Sequence, residues 1–142
     1  TSFFNNNKVW GIEKWQELAD RLSKDFLVLR MLPGGDYKEP HLKNATNIEL
    51  PNVREALCFA ANVKLGVTYD GLLSNCWPGY EVPCVRICGD FMSSKTLHYD
   101  NNLSLAVNKH STGATYECNY CKEGNEQITV DMVYEACMKI LK

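Results

Sequence analysis

The sequence predicts an α/β fold, a three-layer Rossmann-like domain built on a mostly parallel sheet. Two observations lead there. Segments with apolar residues at helical spacing alternate along the chain with short apolar runs closed by turn residues, the order that βαβ units produce. In the stretch from Lys64 to Gly71, KLGVTYDG, one such run ends at Thr68, meets Asp70-Gly71 and passes into Leu72-Leu73. A strand that stops where a helix starts sets the free N–H groups of that helix at the carboxyl edge of the sheet, where α/β proteins hold anionic ligands.

Each element has its own signal. Ile12, Trp15, Leu18, Ala19 and Leu22 share one helical face and Glu13, Lys14, Glu17, Asp20 and Arg21 lie mostly opposite, so an amphipathic helix is expected over 12–22. Asp25 to Leu32, DFLVLRML, is almost continuously apolar and runs into Pro33-Gly34-Gly35, which reads as a buried strand ending in a turn. A short strand near Ala45 to Ile48 precedes Pro51. Asn52, with Glu55 three residues on, is a capping-box pair announcing a helix to Asn62 whose apolar face holds Val53, Ala56, Leu57, Ala60 and Ala61. Strands at Lys64–Thr68 and Pro83–Cys88 flank Gly71 to Gly79, where Pro78 limits a helix to a turn or two. Another strand is expected over Leu103 to Val107. Thr129 caps a final helix to Leu141, with Ile128 and Val133 as a hydrophobic staple. Asp131 in its first turn and Lys139 and Lys142 at its end suit the helix dipole.

Composition narrows the function classes. A chain of 142 residues with 45% hydrophobic and 23% charged residues builds one core, so a single domain over 1–142 is expected. The net charge of -2 and the scattered lysines and arginines argue against a nucleic-acid partner. Apolar runs such as Phe26 to Leu29 fall far short of the roughly 20 residues a membrane span needs, so no transmembrane segment is expected. The start TSFFNNNK lacks an initiator Met, as in a piece of a larger protein. Seven cysteines, an odd number at irregular spacing and mostly in apolar contexts, fit reduced core thiols in a cytoplasmic protein better than a disulfide framework.

Several motifs taken together resemble a known family. The order KVWGIEKWQELADRL, a strand ending PGGD, NIELPNVREALCFAANVKLGVTYDGLL, VPCVRICGD, a cysteine pair and a C-terminal helix is similar to the nucleotide-sugar-binding C-terminal half of glycosyltransferase family 9, the ADP-heptose:lipopolysaccharide heptosyltransferase-like proteins. The likeness spans essentially the whole chain, and its most specific pieces are Lys8-x-Trp10 with Trp15, the helix at Val53 to Leu57, and the turn from Gly66 to Leu73. It implies the second Rossmann-like domain of a GT-B fold, holding a nucleoside-diphosphate sugar while an N-terminal half, absent here, holds the acceptor. A chain of this kind would be a glycosyltransferase only when joined to that half.

The resemblance also assigns residues. Lys8 matches the basic residue that reaches the donor diphosphate, a role suited to a flexible ammonium. Aligned on the glycine, the family's Asp-Ser/Thr-Gly turn and the His three residues later fall on Tyr69, Asp70, Gly71 and Ser74, just beyond Thr68. A one-residue insertion would return Asp70 to the acid's place. The family His is replaced by Ser74. Gly34 and Gly35 match a glycine-rich turn in the donor cleft, although a tight turn needs them too and already accounts for them. Glu55 matches an acidic residue before the donor turn, although the capping box already accounts for it, as an N-cap role accounts for Asp70.

Cys118-x-x-Cys121, in YECNYCKEG, is a second chemical candidate. Two thiolates at this spacing can share a structural zinc or iron, with Cys88, His98, His110 and Cys137 as sources of the missing ligands. A dithiol redox role would require the pair at a strand-to-helix junction, whereas the local sequence reads as a polar loop. Cys137 sits on the apolar face of the last helix and reads as core. His41, His98 and His110 stand apart in polar surroundings and read as surface residues. Two functions follow: a donor-binding transferase domain, or a non-catalytic α/β module derived from the same fold that binds a nucleotide or a protein partner.

Overall fold

The structure, a computed structural model, describes residues 6–33, 40–96 and 99–142. It is α/β, and every strand pairing among the described residues is parallel. A single 3-10 turn at Asn6–Lys8 leads into α1 (Ile12–Leu22), β1 (Leu29–Pro33), β2 (Thr46–Leu50), α2 (Val53–Ala60), β3 (Gly66–Tyr69) and α3 (Leu72–Gly79). There follow β4 (Cys84–Gly89), β5 (Asn102–Ala106), α4 (Asn119–Gln127) and α5 (Val130–Leu141).

The caps lie where local sequence puts them. Asn52 Oδ1 accepts the Glu55 N–H at 3.0 Å and Asn52 Nδ2 donates to Glu55 Oε1 at 3.0 Å, which fixes the start of α2. Thr129 Oγ1 accepts from Met132 N–H at 3.3 Å, and both staple residues, Ile128 and Val133, enter the main core. The first strand begins later than Asp25 because the N–H groups of Asp25 and Phe26 still bond back to Leu22 O, extending the turn after α1.

The sheet is not continuous. Among the described residues β1 pairs only with β2, while β3, β4 and β5 form a separate sheet with β4 in the middle. No local pattern specifies whether β1 and β3 pair, since that contact depends on how β2 and α2, which lie between them, pack. The three-stranded sheet is nonetheless covered on both faces. Successive β4 side chains alternate across it, Val85 and Ile87 facing a core with Trp10, Leu18, Ile128 and Val133 from the α1 and α5 side, and Cys84 facing Ala60 and Trp77 from α2 and α3. A third cluster, Phe91, Ala114, Cys118 and Cys121, lies beyond the end of β4 under α4.

Helix α4 departs from expectation, because the polar loop assigned to the cysteine pair is helical from Asn119. Its buried residues are Cys121, Gly124 and Asn125, so it packs with small and polar groups and carries no apolar stripe for a periodicity argument to find. Gly124 allows the approach, since a Cβ there would stand 2.4 Å from Asp90 N and 2.6 Å from Asp90 Cβ. Among the described residues no helix is long and apolar enough to cross a membrane.

Candidate functional site

Parallel β3, β4 and β5 all end at one edge, and the charged side chains gather there. Asp70 follows β3, and its carboxylate receives two cations. Lys8 Nζ lies 3.1 Å from Asp70 Oδ2 and 3.2 Å from Asp70 O, although 62 positions separate them in sequence. Arg86 Nη1 lies 3.5 Å from Asp70 Oδ1. Arg86 is fully buried in the middle of β4, where Nε donates to Ser104 Oγ at 3.0 Å and Nη2 to Thr96 O at 2.6 Å. Thr68, Arg86 and Ser104 form one row across the sheet. Lys8 also sits over the Phe91 ring, 4.4 Å from its centroid. These three charges sum to one positive charge beside the start of α3, while the Asp90 carboxylate follows β4 at the same edge.

Gly71 opens that helix with no side chain in the way. Its backbone is extended, so the fold does not demand glycine, and a Cβ would meet nothing within 4 Å. Ser74 is fully buried, accepts the Gly71 N–H at 3.0 Å and donates to Gly71 O at 2.8 Å, so its hydroxyl is spent inside its own turn. Tyr69 turns toward the core, where its hydroxyl accepts from Trp15 Nε1 at 2.8 Å and its ring meets Trp15 edge-on. Glu55 is exposed and held by Asn52 at the start of α2. Gly34 and Gly35 lie outside the described residues. Of the residues expected at the site, the fold thus joins Lys8, Asp70 and Gly71 at one edge, with Thr68 in the adjoining row, and directs Tyr69 and Ser74 inward.

Arg86 is not among the residues that the sequence motifs single out. Its signal was available, as a lone arginine in the otherwise apolar run VPCVRICG must find an acidic or carbonyl partner if that run is a buried strand. Its neighbour Cys88 is buried, which raises its thiol pKa even though Arg86 acts to lower it.

A second cluster follows β4. Asp90 is buried and accepts the N–H groups of Lys109 (3.0 Å), His110 (2.9 Å) and Ser111 (3.1 Å), while His110 Nδ1 lies 2.6 Å from its Oδ2. Burial pushes the Asp90 carboxyl upward, but the donations from His110, Ser111 and Lys109 outweigh it and hold the pKa below its ordinary value. The charged form therefore stabilises the fold above the ordinary aspartate range, and that contribution disappears as pH falls through the lower folded value. Asp90→Asn should cost about 1.5–3 kcal/mol at neutral pH. Urea melts at successively more acid pH should show the wild type losing its advantage below about pH 4, with the two proteins converging. A constant gap down to the acid limit would remove the carboxylate charge as the cause.

His110 stacks on Tyr120 with ring centroids 3.9 Å apart, His41 is exposed and His98 lies outside the described residues. Cys118 is the N-cap of α4 and Cys121 lies three residues on, so the pair stands at a helix N-terminus rather than in a loop. The N–H groups of Cys121 and Tyr120 and the Cys121 and Thr112 side chains hold the Cys118 thiol pKa below its usual value against burial, whereas burial raises that of Cys121. Thr112 Oγ1 lies 2.9 Å from Cys121 Sγ. Among the described residues, no three His, Cys, Asp or Glu side chains come together to hold a metal ion. Cys137 is buried in the main core, where burial pushes its thiol up to about 12, as expected for a packing residue.

Comparison with known protein families, with curated proteins and with solved structures finds no match to this chain in any of the three.

Proposed function

We propose that the carboxyl edge of β3–β5 binds the diphosphate of a nucleoside-diphosphate sugar, as the donor-side half of a GT-B glycosyltransferase of the heptosyltransferase type. The observation that supports this reading is the convergence of Lys8 and Arg86 on Asp70 beside the unobstructed start of α3. Arg86 is buried and fixes Asp70. Lys8 is partly exposed at 28% and is the cation free to swing from the carboxylate to a phosphate. An N-terminal half would supply the acceptor and complete the water-excluded site that group transfer needs.

Calorimetric titration of the chain with nucleoside diphosphates and with inorganic diphosphate tests the reading. Weak saturable binding is expected, reduced by about 1–3 kcal/mol in Lys8→Ala, where a charge-assisted bond is lost. Gly71→Val should also weaken it by filling the open approach to α3. Unchanged affinity in both variants would remove the edge from the binding site. The inward positions of Ser74 and Tyr69 favour a second reading, a non-catalytic nucleotide- or partner-binding module derived from the same fold. Absence of binding to any nucleotide would select it.

A further inference from the structure

Helix starts bring two side chains into contact, those of the N-cap and of the third helical residue. In α2 these are Asn52 and Glu55, where Asn52 Nδ2 donates to Glu55 Oε1 and Asn52 Oδ1 accepts the Glu55 backbone N–H. In α4 they are Cys118 and Cys121. Both cysteines belong to the buried cluster with Phe91 and Ala114 beyond the end of β4, and Thr112 Oγ1 lies 2.9 Å from Cys121 Sγ. Rotation about the Cα–Cβ bonds can close a disulfide from this placement, since the backbone holds the two residues within one helical turn. Five of the seven cysteines are buried, and Cys84, Cys88 and Cys137 belong to the sheet and its helices, each without a thiol partner at cap spacing.

We propose that Cys118 and Cys121 form a dithiol–disulfide site that exchanges with small disulfides of the glutathione type. The order of events follows from exposure. Cys118 retains 8% exposure, beside the exposed Tyr116 and Tyr120, whereas Cys121 is fully covered. Cys118 as thiolate attacks one sulfur of the small disulfide, the S–S bond breaks, and one thiol leaves with the Cys118 proton. Cys121 then attacks Cys118 Sγ in the mixed disulfide and expels the second thiol, which takes the Cys121 proton. The protein loses two hydrogens and one small disulfide becomes two thiols. Thr112, whose hydroxyl touches Cys121 Sγ, is placed to support the resolving thiolate.

The experiment uses the 142-residue chain with Cys58→Ser and Cys76→Ser, which removes the exposed and half-exposed competing thiols. After equilibration with oxidised glutathione, intact mass should fall by two hydrogens, and peptide mapping after alkylation should give a Cys118–Cys121 linked peptide. Adding Cys121→Ser should instead trap one glutathione on Cys118. Adding Cys118→Ser should trap far less, because the remaining thiol is covered. Reduced, alkylated Cys118 and Cys121 under conditions that glutathionylate Cys58 in the unsubstituted chain would overturn the proposal. So would glutathione on both residues without a link, or retained zinc that blocks oxidation of the pair.

Discussion

Gly124→Ala should unfold α4 from the end of β4 and lower stability by about 3 kcal/mol or more, at the upper end of overpacking effects. The added methyl would stand 2.4 Å from Asp90 N and 2.6 Å from Asp90 Cβ, and 3.0 Å from Asp90 Cα. These atoms belong to the backbone or are fixed to it, and Asp90 is itself pinned by three N–H groups and the His110 ring, so neither side can yield by changing a rotamer. Alanine favours a helix over glycine by about 1 kcal/mol, so propensity opposes the predicted direction and packing must exceed it. For a chain of this size the net loss corresponds to a melting temperature lowered by roughly 10 °C. A variant with wild-type stability would mean that α4 lies farther from β4. Gly113→Ala is an informative contrast: its Cβ would meet nothing within 4 Å, but its φ of +56° makes the cost one of backbone strain.

What could be read from the sequence follows the range of the interactions. Helix α1 matches its expected bounds, and α2 and α5 begin at the caps expected, because the apolar faces and Asn52, Glu55 and Thr129 act within a few residues. The Lys64–Gly71 stretch likewise shows itself as a strand passing into a helix, displaced by one or two residues. The division into two sheets depends on helix packing between β1 and β3 and leaves no local mark. Helix α4 leaves no periodic signal because its inward face is Cys121, Gly124 and Asn125, and a polar face that hydrogen-bonds Asn7 and packs closely on Asp90 resembles a loop when read alone. At the candidate site, Lys8 and Asp70 were legible as residues but not as a pair, since their contact spans the whole first half of the fold. The Asp90–His110 contact is of the same kind: each residue looks like an ordinary polar neighbour until the chain returns along β5.

Asp70→Asn should move stability and ligand affinity in opposite directions. The Arg86 guanidinium is fully buried and Asp70 is the carboxylate seen to face it, so neutralising that side chain leaves a charge without compensation in a low-dielectric setting. Removing one partner of a buried pair costs about 3–5 kcal/mol, and a loss of that order is expected in urea unfolding. If the unpaired charge is the cause, Arg86→Met in the same chain should recover most of the loss, because a well-packed apolar side chain of similar length removes the charge that needed a partner. A double variant no more stable than Asp70→Asn would mean that the carboxylate acts through its own hydrogen bonds instead. Affinity for a diphosphate should rise, for two reasons with one origin. The substitution removes a negative charge from the place an anionic ligand would approach, and it releases Lys8 Nζ from the carboxylate 3.1 Å away. The gain should vanish when Lys8→Ala is added, since the cation that was released is then missing. Equal diphosphate affinity in wild type and Asp70→Asn, measured where both are folded, would mean that the Lys8–Asp70–Arg86 cluster serves the fold alone.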